Sequence, residues 1–187
     1  MIRKKRLIGL SGKARSGKDT IGMYLVQSRG FHRMAFADPL KETMAAAFGI
    51  RVIEFHDDEL KDKLHPLWAM TRRAMLQRGA DALRGQFGQN FFIRRWLNSY
   101  LSICTHNNVV VTDVRSDAEA QAIINLGGVM LGVLRDNHQG LVGPESQHHT
   151  ETGVSGHLIK AYLLNNGTLT ELKALILQHL EDFPNAT

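Results

Sequence analysis

Hydrophobic positions along the chain form two alternating patterns. Short continuous apolar runs, the clearest being Leu7–Ser11 and residues 109–113, are typical of strands buried on both faces of a parallel sheet. Longer stretches place apolar residues at helical spacing, as Ile21 and Leu25 do before Gly30, which predicts the end of that helix. Strands are predicted at 7–11, 34–37, 109–113, 129–134 and 162–164, and helices before Gly30 and at 38–48, 71–84, 92–104, 118–126 and 169–180. This alternation indicates an α/β fold, with helices covering both faces of one parallel sheet.

Two of the predicted helices carry informative local signals. Asp38-Pro39 is typical of a helix cap followed by the first helical turn. Gly79 lies inside the helix predicted at 71–84 and weakens it by about 1 kcal/mol relative to alanine, so a break there is an open alternative.

Composition narrows the class of protein. The 187 residues are 43% hydrophobic and 22% charged, which suits one well-buried globular domain and excludes collagen-like, coiled-coil and disordered chains. No apolar run approaches the roughly 20 residues that span a bilayer, and the basic N-terminus lacks the apolar stretch of a secretory signal. The single cysteine, Cys104, has no partner for an internal disulfide. We therefore expect a cytoplasmic protein without membrane contacts.

The positive charge of the chain is concentrated in one segment. Residues 72–95 contain six arginines and one acid, so they account for a net charge of +5, equal to that of the whole chain. A local arginine cluster favours a site for phosphate groups over a generally basic surface that binds nucleic acid.

A glycine-rich segment follows the first predicted strand and precedes the first predicted helix. Its G-x-x-x-x-G-K core is the pattern of a phosphate-binding loop, in which backbone N–H groups surround phosphate oxygens and the lysine reaches the β- and γ-phosphates. The predicted loop residues are Gly12, Lys13, Ala14, Arg15, Ser16, Gly17, Lys18, Asp19 and Thr20.

The loop departs from the usual pattern at one position. Asp19 stands where a serine or threonine magnesium ligand is usual, and Thr20 follows it. A carboxylate there can still hold Mg²⁺ directly or through water, while Thr20 is a candidate for hydrogen bonding to a phosphate oxygen.

A second carboxylate is predicted at the same edge of the sheet. Asp113 ends the strongest strand, where open α/β sheets bind ligands, and is a candidate magnesium ligand; a simple strand-end cap is the alternative. Val114 follows it in place of the water-activating glutamate common in ATPase motors, which favours phosphoryl transfer to another acceptor. Arg115 is placed to contact a phosphate or a carboxylate.

Several polar side chains are candidates for binding the phosphate acceptor. Arg73, Gln77 and Arg84 share one face of their predicted helix and are suited to grip a phosphate and a base, although each arginine alone is more typical of a solvated surface. Asp38 is a candidate to orient or deprotonate the acceptor, with a helix cap as its equal alternative. Arg135 follows a strand and leads into a loop at 136–150 that lacks periodicity.

Other residue types indicate packing more than chemistry. His138, His148 and His149 lack the regular spacing of zinc ligands, so no structural zinc site is predicted. Cys104 lies on the apolar face of its helix and is assigned to the core. The aromatic residues Trp68, Phe87 and Phe91 are able to stack on a base, but packing is their default role.

Several segments of the sequence, taken together, resemble the deoxynucleoside monophosphate kinases of bacteriophages. The matching segments are spread over residues 7–177, nearly the whole chain, and the ordered set is more specific than the phosphate loop alone. They are Ser11 to Thr20, Phe36-Ala37-Asp38-Pro39-Leu40-Lys41, Arg72-Arg73-Ala74-Met75-Leu76-Gln77, Asn90-Phe91-Phe92, Val111-Thr112-Asp113-Val114-Arg115 with Glu119, and Asn165-Asn166-Gly167-Thr168-Leu169 with Leu172.

The resemblance implies a three-layer P-loop fold of the adenylate-kinase type and the conversion of dNMP to dNDP with ATP and Mg²⁺. It implies a single domain over residues 1–187, with an acceptor-binding helical insertion at about 50–106 and a lid at about 136–157. The loop at 12–20 would hold the donor phosphates, the segment around Arg73, which includes Arg72, would bind the acceptor, and Arg135 would belong to the lid. The tail near Asn165 would line the adenine pocket.

Two other functions remain open from the sequence. One is another small-acceptor P-loop kinase, such as a dephospho-coenzyme A kinase, and the other is a nucleotide-dependent ATPase that binds nucleic acid. The valine at 114 and the lack of an extended basic face argue against the ATPase. We expect a small-molecule substrate and no stable nucleic-acid partner. The oligomeric state stays open from the sequence, with a homodimer as the commonest symmetric assembly.

Overall fold

The computed structural model describes residues 5–135 and 153–182. They belong to two compact units. One unit comprises the described residues up to Ala35 and from Ser99 onward, and the other comprises residues 36–98.

The first unit is built on a parallel sheet. Among the described residues its five strands lie in the order β2-β3-β1-β4-β5, and every pair of neighbours is parallel. The strands are β1 (Leu7–Ser11), β2 (Phe31–Met34), β3 (Asn108–Val111), β4 (Val129–Leu134) and β5 (Ala161–Leu164). Because all strands run the same way, their carboxyl ends meet at one edge, and the central strand β1 delivers the chain there between β3 and β4.

Helices pack on both faces of this sheet, as predicted. One face carries a core formed by alternate strand residues with apolar side chains of α1 (Lys18–Arg29) and α6 (Leu169–Asp182), including Leu10, Ile21 and Ile176. On the other face, Gly9 of β1 leaves room for Ile123 of α5 (Asp117–Asn125) and for Met130, and a Cβ at Gly9 would collide with both. A parallel sheet buried on both faces explains why β1 is hydrophobic along its whole length.

The second unit is helical and contains α2 (Asp38–Phe48), a 3-10 helix (Val52–Phe55) and α3 (Arg72–Phe87). A further helix, α4 (Phe91–Ile103), begins in this unit and crosses its boundary at residue 98. Two apolar clusters hold the unit together, one around Phe55 and Met75 and one around Leu40, Ala80 and Phe92.

The structure corrects the predicted bounds of the second strand and the predicted cap of the helix after it. The second strand is Phe31–Met34, not 34–37. Ala35 and Phe36 are apolar because they are buried in the connection that follows the strand. As an edge strand, β2 tolerates polar residues at its centre, which hid it from the hydrophobic pattern. Asp38 is the first residue of α2 and not its cap, since the N-cap position is Ala37.

Gly79 does not break α3. The helix runs continuously from Arg72 to Phe87, and a Cβ at Gly79 would collide with the Met44 side chain, so the glycine permits close packing of α2 against α3. Cys104, expected in the core, is only half-buried and lies just after the end of α4.

No helix within residues 5–135 and 153–182 is both long and apolar enough to cross a membrane.

Candidate active site

The predicted phosphate loop lies between β1 and α1 in a conformation that requires its glycines. Gly12 and Gly17 have φ angles of 149° and 108°, and Arg15 between them has a φ of 60°. A Cβ at Gly12 would collide with the Val133 carbonyl oxygen of β4 and crowd the Ser16 hydroxyl. The backbone therefore curls against the end of β4, in a turn that L-residues with side chains rarely adopt.

Lys18, the first residue of α1, folds back over this loop. Its Nζ donates hydrogen bonds to the carbonyl oxygens of Gly12 and Lys13, both at 2.7 Å. The Ser16 hydroxyl is also buried, and within the described part of the chain it has no hydrogen-bond partner. A curled backbone, an ammonium and a buried hydroxyl at the start of a helix together fit a chain of phosphates.

The electrostatics around Lys18 join the loop to the end of β3. Burial lowers the pKa of the Lys18 ammonium, and the positive charge of Arg115 lowers it further. The negative charges of Asp19 and Asp113 oppose this shift, so both predicted carboxylates act on the ammonium. Contrary to the prediction, Asp113 is not the last residue of its strand, because β3 ends at Val111; Asp113 follows two residues later at the carboxyl edge of the sheet. The first unit thus brings Lys18, Asp19, Asp113 and Arg115 into one electrostatic environment.

These carboxylates are a sparse set of ligands for a metal ion. Asp19 is exposed and Asp113 is half-buried. In the ranges that the structure describes, no group of three or more histidine, cysteine, aspartate or glutamate side chains lies together. Mg²⁺ usually takes one or two protein carboxylates and completes its shell with water and substrate phosphates, so the two aspartates fit that ion.

A half-buried glutamate fixes the turn that carries Asp113 and Arg115. Glu119 accepts hydrogen bonds from the backbone N–H groups of Arg115 at 2.7 Å and Ser116 at 3.2 Å, and Ser116 caps Glu119 in return. Burial raises the pKa of the Glu119 carboxyl, as does nearby Asp113, while the two backbone donors lower it. This capping box is visible in the sequence as Ser116-x-x-Glu119.

In the second unit, the predicted acceptor residue Arg73 is held by a carboxylate. Its Nε and Nη2 donate to the two oxygens of Asp62 at 2.6 and 3.0 Å, a bidentate geometry that a phosphate can also satisfy. The Arg73 guanidinium lowers the pKa of Asp62. Both side chains are accessible, with exposed fractions of 37% and 61%. The sequence interpretation did not find Asp62, because it lies in an irregular segment without periodicity.

The neighbouring Arg72 has a different environment. Its side chain is 7% exposed, its Nη2 lies 2.5 Å from a Glu54 oxygen, and its Nη1 lies 3.4 Å from the Leu60 carbonyl oxygen. Hydrogen bonding from Arg72 and from Arg51 lowers the pKa of Glu54. The predicted contact between Arg72 and substrate stays a prediction, and this geometry favours a structural tie between α3 and the segment before it.

The remaining candidates lie at several places. Gln77 is exposed on α3, and the Arg84 guanidinium lies 5.1 Å from the centre of the Phe92 ring. Asp38 lies 3.9 Å from the Lys41 ammonium. Arg135 is exposed directly after β4, and the lid predicted at 136–157 lies mostly outside the described residues, as do His138, His148 and His149. The aromatic candidates pack on other rings, Trp68 on Phe48, and Phe87 and Phe91 on each other.

Comparison with protein families decides the identity of this site. The model of the family described as deoxynucleotide monophosphate kinase matches residues 6–65 and 51–176, which include the phosphate loop, α3 and Asp113. This chain belongs to the deoxynucleotide monophosphate kinase family. The family resemblance of the sequence is thereby confirmed, and the protein is a phosphotransferase that phosphorylates deoxynucleoside monophosphates with a nucleotide phosphate donor.

A curated relative supports membership of the deoxynucleotide monophosphate kinase family. The "Putative deoxynucleotide monophosphate kinase" of Acanthamoeba polyphaga mimivirus is 31% identical over 192 residues, which cover 94% of this chain and 96% of the relative.

Solved structures support the P-loop kinase fold of this family member. A "putative kinase" from Chloroflexus aurantiacus aligns with a TM-score of 0.55 at 12% identity, covering 100% of both chains. The TT1252 protein from Thermus thermophilus aligns with a TM-score of 0.53 at 18% identity, covering 96% of this chain and 98% of its own. The predicted fold class is confirmed.

Proposed function

We propose that this deoxynucleotide monophosphate kinase uses ATP as its donor and binds the donor phosphates at residues 12–20. The observation that carries the proposal is the inward fold of Lys18 over a loop whose two glycines have φ angles that residues with side chains rarely adopt, as in a phosphate-binding loop. The γ-phosphoryl group passes to a phosphate oxygen of dNMP as its bond to the bridging oxygen of ADP breaks. Such a transfer depends on positioning and on positive charge more than on covalent chemistry.

The donor half of the mechanism belongs to the first unit. When ATP binds, the Lys18 ammonium exchanges the carbonyl oxygens of Gly12 and Lys13 for phosphate oxygens. Burial disfavours the charged lysine, and the negative phosphates remove that penalty by pairing with it. The loop N–H groups and the amino end of α1 supply further positive potential, and Arg115 adds a charge at the same edge.

We propose Asp19 and Asp113 as the holders of Mg²⁺. The ion would neutralise charge on the donor phosphates. Asp19 lies directly after Lys18, and Asp113 lies in the turn fixed by Glu119, so each carboxylate has a defined place beside the loop. Thr20 remains a candidate for hydrogen bonding to a phosphate oxygen.

The acceptor half is assigned to the second unit. Arg73 offers a planar bidentate donor that matches the phosphate of dNMP, while Gln77 and Arg84 follow it about one and three turns later on α3 and are proposed to contact the rest of the acceptor. Asp38 would orient the acceptor. It is not needed as a base, because a phosphate monoester with a second pKa near 6 is already ionised at pH 7.

Arg135 is proposed to belong to the lid and to contribute its positive charge to phosphate binding. We also propose an acceptor region at about 50–106, a lid at about 136–157 and a homodimeric assembly.

The test is ADP production from ATP and Mg²⁺ across the deoxy- and ribonucleoside monophosphates. Controls contain DNA or no acceptor. We expect turnover only with certain deoxynucleoside monophosphates, and none after Mg²⁺ is removed with EDTA. If no monophosphate changes the rate of ADP production but DNA raises it, the result would contradict the proposal and indicate a nucleic-acid ATPase.

A further inference from the structure

Asn165 lies at the carboxyl edge of the sheet, directly after β5. Its backbone N–H donates to the Leu134 carbonyl oxygen at 2.7 Å, which extends the pairing of β5 with β4 by one residue. The residue is 9% exposed and is among the few buried polar residues of the described chain. Its side chain is therefore held by the sheet in a fixed place, with little contact with water.

The side-chain amide of Asn165 reaches the phosphate loop. Nδ2 donates to the Ser16 carbonyl oxygen at 2.8 Å, across 149 residues of sequence and in a buried position. The same Nδ2 lies so close to Gly17 that a Cβ there would collide with it. The glycine of the loop and the asparagine after β5 are thus complementary in shape as well as in hydrogen bonding.

This hydrogen bond sets the direction of one peptide group in the loop. The peptide bond is planar and trans, so the carbonyl of Ser16 and the N–H of Gly17 point in opposite directions. Asn165 holds the carbonyl on its own side and thereby directs the Gly17 N–H away from itself. Without the amide donor, a buried carbonyl would lose its partner and the peptide group would be free to rotate.

We infer that Asn165 is a positioning residue that keeps the Ser16–Gly17 peptide in the orientation needed to bind the donor's polyphosphate. The inference rests on the proposed donor role of residues 12–20. It differs from an adenine contact, because a residue acting through the loop backbone affects the phosphates whatever base is attached to them.

Two substitutions separate the hydrogen bond from side-chain volume. Asn165→Ala removes the donor, and Asn165→Asp keeps the shape but turns an oxygen toward the Ser16 carbonyl oxygen. Asn107→Ala is the matched control, since its Nδ2 also donates to a backbone carbonyl, that of Ile103 at 3.2 Å, but at the amino end of β3, the opposite edge of the sheet.

The full chain and each variant are titrated calorimetrically with inorganic tripolyphosphate and with ATP, and ADP production gives KM for ATP and for dNMP. We expect Asn165→Ala to weaken tripolyphosphate and ATP binding about tenfold and to raise KM for ATP equally, with KM for dNMP unchanged. Asn165→Asp should weaken tripolyphosphate and ATP binding more than Asn165→Ala does. Asn107→Ala should bind both ligands as tightly as the unsubstituted protein. Circular dichroism verifies that each variant is folded.

Three outcomes overturn the inference. One is unchanged tripolyphosphate affinity in folded Asn165→Ala, and a second is a loss confined to ATP with tripolyphosphate unaffected, which identifies an adenine contact. The third is an equal loss in Asn107→Ala, which indicates general destabilisation. If the parent binds tripolyphosphate but phosphorylates no dNMP, the proposed ATP-dependent transfer fails while the role of Asn165 is still decided by the binding data.

Discussion

Replacing Asp62 with asparagine should strengthen acceptor binding. In the structure, Asp62 occupies the Nε and Nη2 donors of Arg73, so in the proposed acceptor site the phosphate of dNMP has to displace this carboxylate before it gains the same bidentate contact. An asparagine side chain is neutral and a weaker acceptor than a carboxylate, so its displacement would cost less. We expect Asp62→Asn to lower KM for dNMP while leaving KM for ATP unchanged.

The expected size of this effect follows from the exposure of the pair. With exposed fractions of 37% and 61%, the two side chains form a surface ion pair, which contributes about 0.2–1 kcal/mol. Since 1.4 kcal/mol corresponds to a factor of ten, KM for dNMP should fall about 1.4- to 5-fold. Arg73 lowers the pKa of Asp62, so the pair is lost only as pH falls through that lowered pKa and the effect should be constant between about pH 6 and 8.

The assay is ADP production at saturating ATP with dNMP varied. Asp58→Asn is the control, because Asp58 pairs with Lys61 in the same segment and the substitution removes the same charge. If both substitutions lower KM equally, the effect is general electrostatics and not displacement at Arg73. An unchanged or raised KM in Asp62→Asn would refute the placement of the acceptor phosphate on Arg73.

Other substitutions test the remaining assignments. Lys18→Ala should reduce kcat about 10³-fold with the fold intact, since it removes a charge aimed at the transferred group; near-normal turnover would remove the loop from the donor site. Arg73→Ala should raise KM for dNMP far more than KM for ATP, and equal losses would exclude Arg73 from the acceptor site. Glu119→Ala should lower the free energy of unfolding by about 1 kcal/mol in urea titrations, because two backbone donors lose their acceptor. Glu119→Gln keeps an acceptor oxygen and removes a charge that burial disfavours, so its free energy of unfolding should fall less than that of Glu119→Ala. An equal decrease in both variants would contradict this account of the turn.

The hydrophobic pattern predicts elements best where both faces of a strand are buried. β1 and β4 begin and end at the predicted residues, since continuous apolar runs mark such strands. β2 begins three residues earlier than predicted because an edge strand has less need of apolar residues. Gly79 shows a different limit, since α3 continues through a residue that costs about 1 kcal/mol relative to alanine, and the missing Cβ lets the Met44 side chain pack close to the helix.

The residues of the candidate site also differ in how well the sequence predicts them. The phosphate loop is predictable because its glycines, lysine and flanking elements are contiguous in sequence. The contact of Asn165 with Ser16 and the pairing of Asp62 with Arg73 are set by tertiary structure, over 149 and 11 residues of sequence. In neither contact does the sequence pattern around one residue indicate the other. Residue type and spacing alone therefore do not predict these two contacts.

Adjacent arginines show why burial has to be known before a role is assigned. Arg72 and Arg73 are alike in sequence, but successive helical residues point about 100° apart, and the two side chains find different carboxylates. The Arg72 side chain is 7% exposed, so breaking its pair with Glu54 would leave a guanidinium with little access to water, whereas breaking the exposed pair of Arg73 with Asp62 costs about 0.2–1 kcal/mol. A substrate phosphate can replace Asp62 with one bidentate contact to accessible Arg73, whereas Arg72 offers it little accessible surface. The acceptor role proposed for the arginine segment therefore falls to Arg73, while Arg72 holds in place the helix from which Arg73 projects.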